Sequence, residues 1–156
     1  MSSGENPIPE GFHSVTPYLY VQNAAKAIDF YGRAFGAAEH VRIRDPEGRV
    51  RHAELQIGES RVFLTDVPID PEMHAPSPEA TSSVWLYLYV KDPDAVFVQA
   101  VGAGAEAVTP VGDQTWGDRY GCVADPFGYR WGIARRIENL TPEELARRMT
   151  AVYKND

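Results

Sequence analysis

Residues 15–21 alternate in character, with Leu19 and Val21 on one side of the chain and Thr16, Tyr18 and Tyr20 on the other. A period of two with an aliphatic side and a hydroxyl-bearing aromatic side predicts a strand with two different surroundings. Asn23 then stands where a helix N-cap belongs, and Ala24, Ala27, Ile28, Tyr31 and Phe35 recur at helical spacing up to a stop at Gly36. Three further strands are predicted over residues 40–44, 50–57 and 61–66, separated by the turns Asp45-Pro-Glu-Gly48 and Gly58-Glu59.

The second half repeats the order. Residues 84–90 alternate again, with Trp85, Tyr87 and Tyr89 opposite Leu86, Leu88 and Val90. A helix start follows, with Asp92 as cap, Pro93 at the first helical position and Asp94 in the first turn. That helix runs through Val96, Ala100 and Val101 to Gly102 and Gly104, and strands are predicted at 107–109, 121–124 and 129–135, the last after the Asp125-Pro-Phe-Gly128 turn. Between the halves, residues 67–81 carry Pro68, Pro71, Pro76 and Pro78 and read as a linker or lid. The tail opens with Thr141-Pro-Glu-Glu144, a capping box, and presents Leu145, Met149 and Val152 on one helical face.

The organisation is therefore an extension (1–12), a first βαβββ module (13–66), the proline-rich segment (67–81), a second module (82–136) and a C-terminal helix (137–156). The expected fold is α+β: two tandem modules whose curved mixed sheets surround a central cavity, helices outside. Leu19, Val21, Leu88 and Val90 should face the helices. Thr16, Tyr18, Tyr20, Trp85, Tyr87 and Tyr89 should line the cavity.

Bulk properties narrow the function. A chain of 156 residues can bury one domain-sized core without staples. A single cysteine, Cys122, allows no internal disulfide and fits a cytoplasmic setting, and no secretion signal or membrane-length apolar run is read. The net charge of −7 argues against a nucleic-acid backbone as partner and favours the approach of a cationic ligand. Arg147 and Arg148 are expected to complement the dipole of the tail helix.

Several stretches carry a resemblance. Thr16-Pro-Tyr-Leu-Tyr-Val, Ala27-Ile-Asp-Phe-Tyr31, Phe35-Gly36, His52-Ala-Glu-Leu-Gln-Ile-Gly58, Trp116-Gly-Asp-Arg-Tyr-Gly121 and Asp125-Pro-Phe-Gly128 resemble the vicinal oxygen chelate superfamily, which includes glyoxalase I, bleomycin-resistance proteins and extradiol dioxygenases, and most of all its PhnB-like branch. The resemblance spans about residues 12–136 and implies paired βαβββ modules. In metal-dependent members four His, Gln or Glu ligands come from the first and last strands of each module. Here those positions read Thr16, Phe63, Trp85 and Gly132, which are poor or absent donors, so no metal or other cofactor is expected. A divalent metal held elsewhere is the alternative.

The residues themselves offer three groups. His52, Glu54 and Gln56 share a strand face, where His52 and Glu54 can act as general base and partner, or simply form a hydrogen-bonded pair. In Trp116-Gly-Asp-Arg-Tyr120, Trp116 beside Asp118 and Arg119 can form a stacking and ion-pairing lip over an aromatic ligand, with Tyr120 among the candidate contacts, or a structural loop in which Trp116 packs on the core and Asp118 pairs with Arg119. The strand tyrosines, Phe63 and Trp85 suit an amphipathic ligand pocket better than a dry core. Cys122 reads as a small buried hydrophobe, and His13, His40 and His74 as surface residues. The leading reading is a metal-free protein that binds a planar or aromatic small molecule and forms a homodimer. The alternative is a lyase, isomerase or dioxygenase that uses His52 and Glu54 or an unplaced divalent metal.

Overall fold

The computed structural model describes residues 4–67 and 70–154, so Pro68 of the proline-rich segment lies outside the described residues. The chain divides into two compact units between Ser77 and Pro78. In the first, β1 (Tyr18–Val21), α1 (Ala24–Phe35), β2 (Ala38–Arg44), β3 (Val50–Ile57) and β4 (Ser60–Asp66) build a four-stranded sheet in the order β1-β4-β3-β2. The second repeats this with β5 (Leu86–Tyr89), α2 (Pro93–Ala103), β6 (Glu106–Asp113), β7 (Asp118–Ala124) and β8 (Arg130–Arg136), ordered β5-β8-β7-β6, before the tail helix α3 (Pro142–Tyr153). In each sheet the first and last strands pair in parallel and the remaining pairs are antiparallel. The α+β duplication expected from the alternation is present.

Alternation decides which side chains are buried. In the first unit Leu19, Val21, Ala53, Leu55, Ile57, Val62 and Leu64 are buried, as are Ala24, Ala27, Ile28, Tyr31 and Ala34 of α1. Each aliphatic side chain sequestered in this way stabilises the unit by roughly 1.5–3 kcal/mol. Asn23 accepts from Lys26 N at 3.0 Å and caps α1 as expected. Asp66, at the end of β4, accepts from Ala24 N at 2.6 Å and Val50 N at 2.7 Å. One carboxylate thus ties the helix start, where negative charge is favoured, to two strands. In the second unit Asp92 caps α2 through Ala95 N at 3.1 Å. Buried Asp125 organises the β7–β8 turn by accepting from Phe127 N, Tyr129 N and Trp131 Nε1, each at 2.9 Å.

Four expectations change. β1 begins at Tyr18 rather than residue 15, because Pro17 has no N–H to extend the ladder, although its carbonyl accepts from Phe63 N at 2.9 Å. β6 reaches from Glu106 to Asp113 despite Pro110; it is an edge strand, and register shifts after Ala107 and Thr109 accommodate the proline. β7 starts at Asp118, three residues earlier than expected, which changes the reading of the Trp116 segment. On the tail, Thr141 caps α3 through Glu144 N at 3.2 Å, while Glu144 gives its carboxylate to Arg147 and Arg148. These arginines are mid-helix ion-pair partners, not complements of a helix end.

The tail also closes a strap. Ile137 N and Glu138 N both donate to Gly117 O, at 2.9 and 3.1 Å, and Arg148 reaches Glu138 at 3.0 Å and Thr115 O at 3.4 Å. Gly117 sits at φ +92°, and a Cβ there would lie 2.9 Å from Glu138 O. Only glycine lets the Trp116 turn and the tail approach this closely.

Candidate functional site

In the first unit the sheet face away from the buried aliphatics carries Tyr18, Tyr20, His52, Glu54, Gln56 and Phe63, as period two requires. Register sets Tyr18 beside Phe63 and Phe63 beside Glu54. Tyr18 Oη and His52 Nδ1 lie 3.1 Å apart, and so do His52 Nε2 and Glu54 Oε1. A carboxylate can only accept, so Nε2 donates to Glu54, and Nδ1 is left to the Tyr18 hydroxyl. The Phe63 ring packs edge-on against His52 at 4.9 Å. Burial, then the neighbouring Tyr20, raise the Tyr18 pKa above its ordinary value. Gln56 shares the face but spends its Nε2 on Gly58 O at 3.0 Å. Thr16 lies just ahead of β1, half-buried.

The second unit presents the richer face. Trp85, Tyr87 and Tyr89 are 52%, 47% and 54% exposed. Beneath the two tyrosines Asp118 is 1% exposed, yet both its oxygens are used. Oδ2 accepts from Tyr87 Oη at 2.8 Å and Tyr89 Oη at 2.9 Å, and Oδ1 accepts from Arg136 Nε at 2.6 Å. Trp116 Nε1 donates to Tyr87 Oη at 3.2 Å, and Arg136 also donates to Tyr89 Oη at 3.2 Å. Burial works against ionisation of Asp118, but the bonds from Arg136, Tyr87 and Tyr89 outweigh it and hold the carboxyl below its ordinary value. Burial likewise lifts the Tyr87 phenol, and Asp118 adds to the rise against the Trp116 bond.

Below this network the rings of Tyr87 and Tyr120 stack at 5.4 Å and 17°, with Trp116 edge-on to Tyr120 at 5.5 Å. Gly132, paired with Tyr87 and Cys122, makes the stack possible: a Cβ there would sit 2.6 Å from Tyr120 Cε2 and 3.1 Å from Tyr87 Cδ2. Cys122 is fully buried beside Tyr120 and Ala134, and burial raises its thiol pKa, as befits a packing residue.

Arg119 does not join this face. Because β7 begins at Asp118, Asp118 and Arg119 point to opposite sides of the sheet. Arg119 instead grips Asp94 with two bonds of 2.7 Å and Asp113 with one of 2.9 Å, bracing α2 against β6 and β7. The expected Trp116–Arg119 lip is therefore not formed, nor is the Asp118–Arg119 pair. Sequence reasoning set Asp118 in the lip and not as the buried anchor of the tyrosine hydroxyls, and it missed Arg136 as the counter-ion. Counting back in twos from Tyr120 would have placed Asp118 on the aromatic face.

The four positions that carry metal ligands in the resembled family hold Thr16, Phe63, Trp85 and Gly132, and in the second unit the two tyrosine rings occupy the space above Gly132. These residues do not fit a divalent ion. Among the described residues no group of three or more His, Cys, Asp or Glu side chains is placed to hold one. Among them, too, no helix is long and apolar enough to cross a membrane.

Residues 11–133 match the Glyoxalase/Bleomycin resistance protein/Dioxygenase superfamily. An uncharacterised protein of Mycobacterium tuberculosis is 40% identical over 141 residues, 88% of this chain and 83% of its own length. The solved structure of an Arabidopsis thaliana gene product is 32% identical, covers 79% of this chain and 98% of its own, and superposes with a TM-score of 0.65. The PhnB protein of Bacillus cereus, 19% identical, shares the fold at a TM-score of 0.62 over 79% of this chain and 99% of its own. The chain is a member of the glyoxalase, bleomycin-resistance and dioxygenase superfamily, with PhnB-like proteins among its structural neighbours.

Two outcomes follow from the second unit. Gly132→Ala should force Tyr87 and Tyr120 apart and cost about 1–3 kcal/mol in denaturant unfolding, with loss of near-ultraviolet tyrosine ellipticity. An unchanged spectrum and midpoint would show that the stack does not depend on the bare backbone. For Asp118 the folded-state pKa lies below its ordinary 3.8, so its contribution to stability is complete above about pH 4 and decays as pH falls towards the folded value. In acid titrations the stability gap between wild type and Asp118→Asn should narrow below pH 4. A gap constant down to pH 2 would contradict this.

Proposed function

We propose that this protein binds a planar or aromatic small molecule, without a metal ion, on the aromatic face of its second unit. The observation that carries the reading is the exposure of Trp85, Tyr87 and Tyr89 at alternate positions along one side of the chain, the two tyrosines held by a hydrogen-bond network and Trp85 packed under the Arg130 guanidinium. Large aromatic surface left open and held rigid suits stacking, since little side-chain freedom remains to be lost on binding. Trp116 and Tyr120 shape the same face, and the unsuitable donor set at the family's ligand positions supports metal independence. Membership of a superfamily that includes bleomycin-resistance proteins is consistent with sequestration of a small molecule.

Trp85→Ala should weaken binding of a planar probe such as 2-naphthamide by about tenfold, in line with the ~0.5–1.5 kcal/mol of an aromatic contact beyond its area, while the fold persists. Calorimetric titration reads the affinity, and an unchanged dissociation constant rejects the stacking face. Sedimentation velocity on the same samples tests the homodimer, which exposed Leu145 and Val152 on the tail helix support.

A second reading rests on the Tyr18–His52–Glu54 chain of hydrogen bonds in the first unit. An imidazole oriented by a carboxylate and linked to a phenol is equipped to move a proton in an isomerase or lyase reaction. Under that reading His52→Ala abolishes turnover of a substrate found by screening and leaves the affinity of the second-unit face untouched. Turnover that survives the substitution removes His52 as the base.

A further inference from the structure

The aromatic face carries one cation that the Asp118 network does not use. Arg130, at the start of β8, pairs in register with Ala124 and stands two residues before Gly132, on the face that holds Trp85 and Tyr87. Its guanidinium lies over the Trp85 ring, 5.2 Å from the centroid. Its Nε is buried and has no hydrogen-bond partner, and the described residues give it no salt bridge, whereas Arg119, Arg136, Arg147 and Arg148 all hold carboxylates. The donor capacity of this fork is unmet.

Beside Arg130 opens a cavity of about 300 Å³, lined also by Thr81, Glu106, Ala124 and Asp125. The Asp125 oxygens are already occupied by the β7–β8 turn and Trp131. Neither Glu106 nor Asp125 comes within ion-pair range of Arg130, so the guanidinium holds no carboxylate directly although two stand in the same cavity. Its charge nonetheless reaches the floor of the face: burial sets the raised pKa values of Tyr120 and Cys122, and Arg130 pulls against both.

The first unit repeats the construction, which marks it as a built feature of the duplication. Arg61 stands two residues before Phe63, the register equivalent of Gly132, and its guanidinium lies 5.2 Å from the Phe12 centroid with Nε again buried and unpartnered. There the Gly11–Phe12 segment lies over the arginine, close enough that a Cβ on Gly11 would be 3.3 Å from its terminal nitrogen. In the second unit a cavity takes that place.

We infer that Arg130 is the anion-reading element of the second-unit face, and that the ligand class is a planar aromatic carboxylate whose ring stacks beside Trp85 and whose carboxylate docks on the guanidinium fork. The inference rests on the stacking face proposed above and adds the sign of the ligand's charge. A planar fork matches a carboxylate with two parallel hydrogen bonds and stacks on an aromatic ring at the same time, which a lysine cannot do. The acidic net charge of the chain acts at long range and is screened by salt; at the point of contact beside Trp85 the group presented is the guanidinium.

Calorimetric titration of the full chain with 2-naphthoate and its neutral isostere 2-naphthamide tests this. The carboxylate should bind about tenfold tighter than the amide, as a charge-assisted bond requires, and Arg130→Gln should bring the two within about twofold of each other. Equal affinities in the wild type overturn the carboxylate assignment while leaving the stacking face standing. A preference that persists in Arg130→Gln overturns the role of Arg130. Failure of both probes to bind overturns the stacking face and this inference together. Should Arg130→Gln lose its fold by far-ultraviolet circular dichroism, Arg130→Lys decides: a point charge without the fork should keep a preference well below tenfold, and an undiminished one is evidence against the fork.

Discussion

A four-stranded sheet has two faces, and each unit of this protein sets one helix against its sheet. That shortage governs the rest of the structure. The face towards the helix is written in aliphatic residues and forms a dry core, with Leu19, Val21, Leu55 and Leu64 in the first unit. The other face cannot be aliphatic without inviting aggregation, nor charged throughout without losing its use as a surface for ligands. Tyrosine and tryptophan satisfy both demands, since each joins a broad apolar ring to a polar tip. The repeated Leu-Tyr-Val ending of the first strand in each half is this constraint expressed twice.

Much of this was legible in the chain because it depends on local period. α1 occupies the predicted residues, Asn23 caps it, and β3 spans the predicted eight residues, since alternation and capping are read over a few neighbours. The misreadings share a cause. β6 looked short because Pro110 and Gly112 break the local pattern, yet the ladder with β7 carries the strand across them through register shifts. β7 looked short because Trp116-Gly-Asp resembles a turn, and that one misplaced boundary hid the alternation that separates Asp118 from Arg119. The His52–Glu54 pair was foreseeable from spacing within one strand. Its Tyr18 partner lies across the sheet and required the register.

The two faces differ in how they treat charge. In the first unit a histidine and a carboxylate meet near the surface, where water moderates them. In the second a carboxylate is buried and survives there because three donors surround it. Removing any one donor would leave the others facing an under-compensated charge, so Tyr87, Tyr89 and Arg136 hold one another in place through Asp118. The outcome is an aromatic surface with few rotamers open to it. Gly132 serves the same end from below, since the absence of a side chain lets two rings settle where the wider superfamily carries a metal ligand.

The strap from the tail to Gly117 gives Trp116 two attachments. Its indole nitrogen is tied through Tyr87 to the buried carboxylate, and the next residue along the chain is tied to the segment leading into α3. Indole emission is sensitive to polarity and to nearby hydrogen bonds, so Trp116, one of three tryptophans in the chain, contributes a signal that answers to both ends. Loosening of the tail and rearrangement of the aromatic surface would register on the same chromophore, and the protein carries within itself the probe for asking whether the two events are coupled.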